Sequence, residues 1–153
     1  MLNYPRPLND TGIAWHLGAN GYYPLGRPEH WAKWVGHMKD MGATWAKVLL
    51  MPDAKPNADD VTFRAVNYLV ANGFEVVVRL FRDKPNPGIL TLNQIQMAKN
   101  LVSIGVHYFE QNNEPNLHVE WQNGQIGSSE SVANDWLVDA RALEDVDGYP
   151  GIP

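Results

Sequence analysis

Apolar positions along the chain follow two alternating periods. Short apolar runs of strand length lie at Gly12–Leu17, Thr44–Met51, Phe74–Phe81 and His107–Asn113. Between them, apolar residues recur every three or four positions, the spacing of a helix that buries one stripe. His30–Met41 places Trp31, Trp34, Val35, Met38 and Met41 on such a stripe. Val61–Asn72 turns Val66, Leu69 and Val70 inward. A third stripe carries Leu92, Ile95, Ala98, Leu101 and Val102, and Ser131–Leu143 carries Val132, Ala133, Trp136, Leu137, Ala140 and Leu143. The punctuation agrees with this division. Gly42, Gly73 and Gly105 stand where helix C-caps belong. Asp59 and Asp60 supply a cap and negative charge at a helix start. Thr91 and Gln94 form a T-x-x-Q capping box.

The four strand centres fall near residues 15, 47, 77 and 110, about 30 residues apart. Strand–helix units at so even a spacing imply parallel strands joined by right-handed crossovers. An open doubly wound sheet and a (β/α)8 barrel both fit. The first strand–helix turn, His16-Leu17-Gly18-Ala19-Asn20-Gly21, lacks the G-x-G-x-x-G spacing, and Pro24 and Pro28 follow it. A dinucleotide-binding fold is therefore disfavoured. A full barrel needs ~250 residues. This chain of 153 holds four units and is expected to stop where a fifth strand, beginning about Tyr149, would start. The expected fold is α/β: one domain over residues 1–153, with four consecutive βα units forming half of a (β/α)8 TIM barrel. Four parallel strands in the order 1-2-3-4, with helices on one face, are expected, and no C-terminal half.

Composition removes several classes. With 44% hydrophobic and 19% charged residues, the chain is not of the disordered type. No apolar run approaches the ~18 residues of a membrane span. No secretory core follows Met1, where the sequence is polar and proline-rich, and secreted and cytoplasmic locations both stay open. The absence of cysteine excludes disulfides, thiol nucleophiles and zinc ribbons. The five histidines are scattered without metal-ligand spacing, so neither a metal nor another cofactor is expected. A net charge of −5 argues against a nucleic-acid partner.

The richest segment chemically is Tyr108-Phe109-Glu110-Gln111-Asn112-Asn113-Glu114-Pro115-Asn116. Pro115 stops the strand and biases Glu114 toward an extended backbone. In a barrel the C-terminal ends of the strands form the active face. A partly desolvated carboxyl there gains a raised pKa and serves as a general acid. Asn113 beside it offers an amide donor and acceptor to a hydroxyl. The alternative is that Asn113 and Glu114 merely cap the next loop. Lys47 and Arg79 interrupt apolar strands, and Glu110 is their natural partner. A Lys47–Glu110–Arg79 cluster inside the sheet is expected. It would be either a structural ion cluster or one in which Arg79 also orients Glu114. Trp15 and His16 end the first strand at the same face, and His118 follows the fourth. Trp31, Trp34 and Trp136 fall on helical core stripes.

Asn113-Glu114-Pro115 at the end of a fourth strand resembles the signature of clan-A glycoside hydrolases. These are retaining (β/α)8-barrel enzymes that include cellulase-like and β-xylosidase-like families. The likeness spans strands one to four, and its specific part is confined to the residues around that tripeptide. It implies that Glu114 is the acid/base, that Asn113 binds the substrate 2-hydroxyl, and that the ligand is an oligo- or polysaccharide. Trp15, His16, Arg79 and Trp121 are then candidate substrate contacts, Trp121 as a stacking platform for a sugar ring. Tyr22 and Tyr23 are placed to act similarly. Gln111 and Asn112 depart from the family pattern, which favours apolar or aromatic residues there. Retaining hydrolysis needs a second carboxyl ~5–5.5 Å from the first. The family carries it on a seventh strand. Glu110 lies ~13 Å before Glu114 along the strand. Glu120 and Asp53 sit on loops with no fixed distance. The chain as given is expected to be catalytically incomplete. A carbohydrate-binding module without turnover and a self-associating half-barrel are the other readings. Unpaired strands one and four and an apolar inner face lead to an expectation of self-association, or of cover from a missing C-terminal half.

Overall fold

The computed structural model describes residues 11–15, 24–50, 55, 59–80, 89–111, 117 and 126–151. Its strands are β1 (Thr11–Trp15), β2 (Ala43–Leu50), β3 (Glu75–Leu80), β4 (Tyr108–Gln111) and β5 (Tyr149–Gly151). Its helices are α1 (Trp31–Asp40), α2 (Val61–Ala71), α3 (Leu92–Val102) and α4 (Ser129–Glu144). Every strand pairing is parallel, and the sheet order is β1-β2-β3-β4-β5. This is the α/β class and sequential order expected from the spacing, in an arrangement compatible with half of a (β/α)8 barrel.

The number of paired strands differs from expectation. Residues from Tyr149 onward do not stop short of the sheet. They form β5, which lies against β4 with Tyr149 N–H donating to His107 O at 2.6 Å. The edges among the described strands are therefore β1 and β5, and β4 is covered on both sides. The turn that makes this possible follows α4, where Asp147 takes a left-handed φ of 62° and Gly148 N–H returns to Leu143 O at 2.8 Å. The first three helices make the same reversal at Gly42, Gly73 and Gly105, all with positive φ.

Helix starts follow the sequence closely. The Asp60 carboxylate accepts from Thr62 N–H and Phe63 N–H. Thr91 and Gln94 form the reciprocal capping box at α3. The sheet has two unlike faces. Ala46, Val48 and Leu50 of β2, Val76, Val78 and Leu80 of β3, and Phe109 of β4 are buried against the helices. Met38, Val66, Leu69, Met97, Leu101 and Leu143 complete that core. The alternate positions, Trp45, Lys47, Leu49, Val77, Arg79, Tyr108 and Glu110, are only half-buried and line the other face.

Core assignments on three helices need correction. Trp34 and Met41 of the α1 stripe are 40% and 60% exposed, because the helix buries only the Trp31, Val35 and Met38 side. Leu92, at the first residue of α3, is exposed, and Met97 is buried instead. On α4 Leu137 and Ala133 are exposed, while Asp139 is fully buried and accepts from Leu90 N–H at 2.6 Å. That bond fixes α4 to the segment leading into α3.

Candidate functional site

Parallel register sets the layers of the half-buried sheet face. Ala14, Lys47, Val77, Tyr108 and Tyr149 are level with one another. One step further along, Leu49, Arg79, Glu110 and Gly151 are level. Direction matters here: all strands run the same way, so the second layer lies nearer their C-terminal ends. Glu110 sits there as the meeting point of two cations. Its Oε2 is 2.5 Å from Lys47 Nζ and 2.9 Å from Arg79 Nε. The expected three-residue cluster is thus present.

Its electrostatics decide what it does. Burial alone pushes the Glu110 carboxyl upward, but hydrogen bonds from Lys47 and Arg79, and their positive charges, outweigh it. The net result is a pKa below the ordinary glutamate value. Glu110 is therefore ionised at neutral pH and unsuited to donate a proton. It holds two cationic side chains in fixed positions on the open face. Beneath this cluster runs a row of aromatic rings. Trp45 meets Tyr108 edge-on at 5.1 Å, and Tyr108 meets Tyr149 edge-on at 5.4 Å. Gly151, level with Glu110, comes close to the backbone of β4: a Cβ there would sit 3.1 Å from Phe109 O and in ordinary contact, 3.5 Å, with Glu110 Cγ.

The other expected site residues divide clearly. Trp15 ends β1 in register with Val48. Asn113, Glu114, His16 and Trp121 lie outside the described residues, as do Tyr22, Tyr23, Asp53, His118 and Glu120. Trp136 is half-buried and has a definite polar task, its Nε1–H donating to Gly151 O at 3.1 Å. His107 immediately precedes β4 at the opposite end, with Nδ1 2.9 Å from Asp147 O.

Two features escaped sequence reasoning. The aromatic row was one, although Trp45 and Tyr108 alternate with the core positions at the strand period. Gln111 was the other in its consequence. It is fully buried on the helix side of β4, with both side-chain polar atoms lacking a hydrogen-bond partner. Its departure from an apolar pattern was the available signal. Among the described residues no group of three or more acidic or histidine side chains could hold a metal ion, and no helix is long and apolar enough to cross a membrane. No protein-family model matches this chain, and no curated protein matches it.

Proposed function

We propose that the protein is carbohydrate-active and built like the N-terminal half of a retaining glycoside hydrolase barrel. In this reading Glu114 is the acid/base and Asn113 holds the sugar hydroxyl next to the reacting carbon. Trp15, His16, Arg79 and Trp121 line the substrate groove. The observation that supports it most is the ionised Lys47–Arg79–Glu110 cluster on the open face of a parallel sheet. Its shared carboxylate, Glu110, lies on the strand that precedes Asn113-Glu114-Pro115 in the sequence. Since Glu110 is committed to two cations, the proton-donor role falls to Glu114, for which retaining chemistry requires a carboxyl with a raised pKa.

The second carboxylate of a retaining mechanism comes, in this reading, from outside the 153 residues. A second reading, sugar binding without turnover, is favoured by one observation. Among the described residues of the open face, the carboxylates are Glu110, already neutralised, and Glu75, at the far end of β3. The catalytic reading is tested in a polypeptide carrying the complete barrel. Glu114→Ala should slow cleavage of substrates with poor leaving groups by about 10²–10⁴-fold. Azide should restore turnover of activated aryl glycosides. Turnover in the variant equal to that of the parent removes Glu114 from the mechanism.

A further inference from the structure

Charges on an otherwise apolar sheet face balance one another when their role is structural, because an unpaired one there is costly. Arg79 and Glu110 already balance. They are level on neighbouring strands, and Arg79 Nε–H donates to Glu110 Oε2 at 2.9 Å. That pair requires no third member. Lys47 is nevertheless brought to the same oxygen from β2, across the width of β3. Two positive charges then share one negative charge, a formal +1. Glu110 is ionised at neutral pH, so the imbalance persists there.

The described neighbours on this face do not remove it. The layer from which Lys47 rises holds Ala14, Val77, Tyr108 and Tyr149, and the next holds Leu49 and Gly151 beside Arg79 and Glu110. Glu75 shares the face but stands four residues before Arg79 on β3, about 13 Å away along the strand. An ammonium carries three N–H donors, and Glu110 Oε2 accepts one from Lys47. The Lys47 side chain is 34% exposed, which leaves the other donors open to a ligand on this face.

We propose that this imbalance selects the substrate: the open face takes a saccharide that carries a carboxylate, a uronic-acid unit, and Lys47 is the residue that recognises it. The inference rests on the carbohydrate reading above and narrows it. One carboxylate accepting from the Lys47 ammonium brings the cluster to formal neutrality through a charge-assisted hydrogen bond. A neutral sugar leaves the extra charge to water. Glu110 holds the ammonium in the layer nearer the C-terminal strand ends, one residue before β4 finishes at Gln111. The chain as a whole carries −5, so it repels anions at long range, and a preference for acidic saccharides has to arise at a local site.

Titration of the 153-residue chain, followed by tryptophan fluorescence, tests it. The probes are glucuronic-acid-substituted xylo-oligosaccharides and oligogalacturonates, each paired with its carboxyl-reduced counterpart of equal length. At least one acidic probe should bind at least tenfold more tightly than its reduced partner, and the ratio should shrink as sodium chloride is raised. Lys47→Met should bring the ratio to within threefold of one, with an unchanged far-ultraviolet spectrum. Glu110→Gln removes the shared negative charge and should raise the ratio. Equal binding of acidic and reduced probes overturns this proposal and leaves the carbohydrate reading standing, whereas no binding of either overturns both. A ratio that survives Lys47→Met, or falls in Glu110→Gln, also overturns it.

Discussion

Lys47 Nζ and Glu110 Oε2 are 2.5 Å apart although a whole strand, β3, lies between their own strands. Register explains how. Lys47 is level with Val77 and Tyr108, so Glu110 stands one same-face step beyond it. The lysine reaches diagonally over Val77, whose short side chain leaves the path open. Arg79, level with Glu110, approaches from the side. A sheet face otherwise lined by Trp45, Leu49, Val77 and Tyr108 tolerates three charges because they meet at one oxygen.

Removing the common partner should therefore cost more than removing one cation. Glu110→Gln leaves Lys47 and Arg79 facing each other, half-buried. Urea unfolding should show a loss of about 1–3 kcal/mol, discounted from a fully buried pair for partial solvent exposure. Lys47→Met, which keeps the Arg79–Glu110 bond and preserves apolar volume, should lose less than half of that.

The same cluster gives stability a pH dependence. The Glu110 pKa is lower in the folded than in the unfolded chain, so its contribution is complete above ~4.3, the ordinary glutamate value. It is lost as pH falls through the lower folded value. Urea midpoints measured from pH 7 to pH 3 should fall below about pH 4.5 in the parent. The fall should be shallower in Glu110→Gln.

Gln111 offers a gain. It is 0% exposed, with neither amide atom bonded. Gln111→Met keeps the volume and removes an unsatisfied donor and acceptor, which should raise stability by about 1–2 kcal/mol. A loss on substitution would mean that the amide has partners that matter.

How much of this was legible beforehand follows from the kind of interaction involved. Strand and helix positions were readable because period and capping are local: Asp60 and the Thr91–Gln94 box act within one turn. The Lys47–Glu110–Arg79 cluster was readable because charges in apolar strands need partners, and parallel order limits who the neighbours are. Trp34 and Met41 were misassigned because periodicity gives a stripe without its width; only packing shows that α1 buries its Trp31–Val35–Met38 side. Asp139 could not be read at all. It lies on the inward side of α4, and its bond to Leu90 N–H joins positions 49 residues apart. The catalytic roles proposed for Asn113 and Glu114 rest on the sequence resemblance alone, since both lie outside the described residues.

The fifth strand has its own test. A Cβ at Gly148 would lie 2.9 Å from the Phe109 ring and 3.1 Å from Leu143 O, and Phe109 is a fully buried core residue that cannot move aside. Gly148→Ala should destabilise by about 1–3 kcal/mol. Hydrogen exchange should show the Tyr149 amide losing protection before those of β2 and β3.

Carbohydrate recognition by the open face is the central claim, and direct titration tests it most simply. Tryptophan fluorescence of the protein is followed against xylo-, cello- and manno-oligosaccharides up to millimolar concentration. The account requires saturable binding of at least one series, weakened at least tenfold by Asn113→Ala and by Trp121→Ala, with the urea midpoint of each variant unchanged. No binding of any neutral oligosaccharide, or binding indifferent to both substitutions, would contradict it.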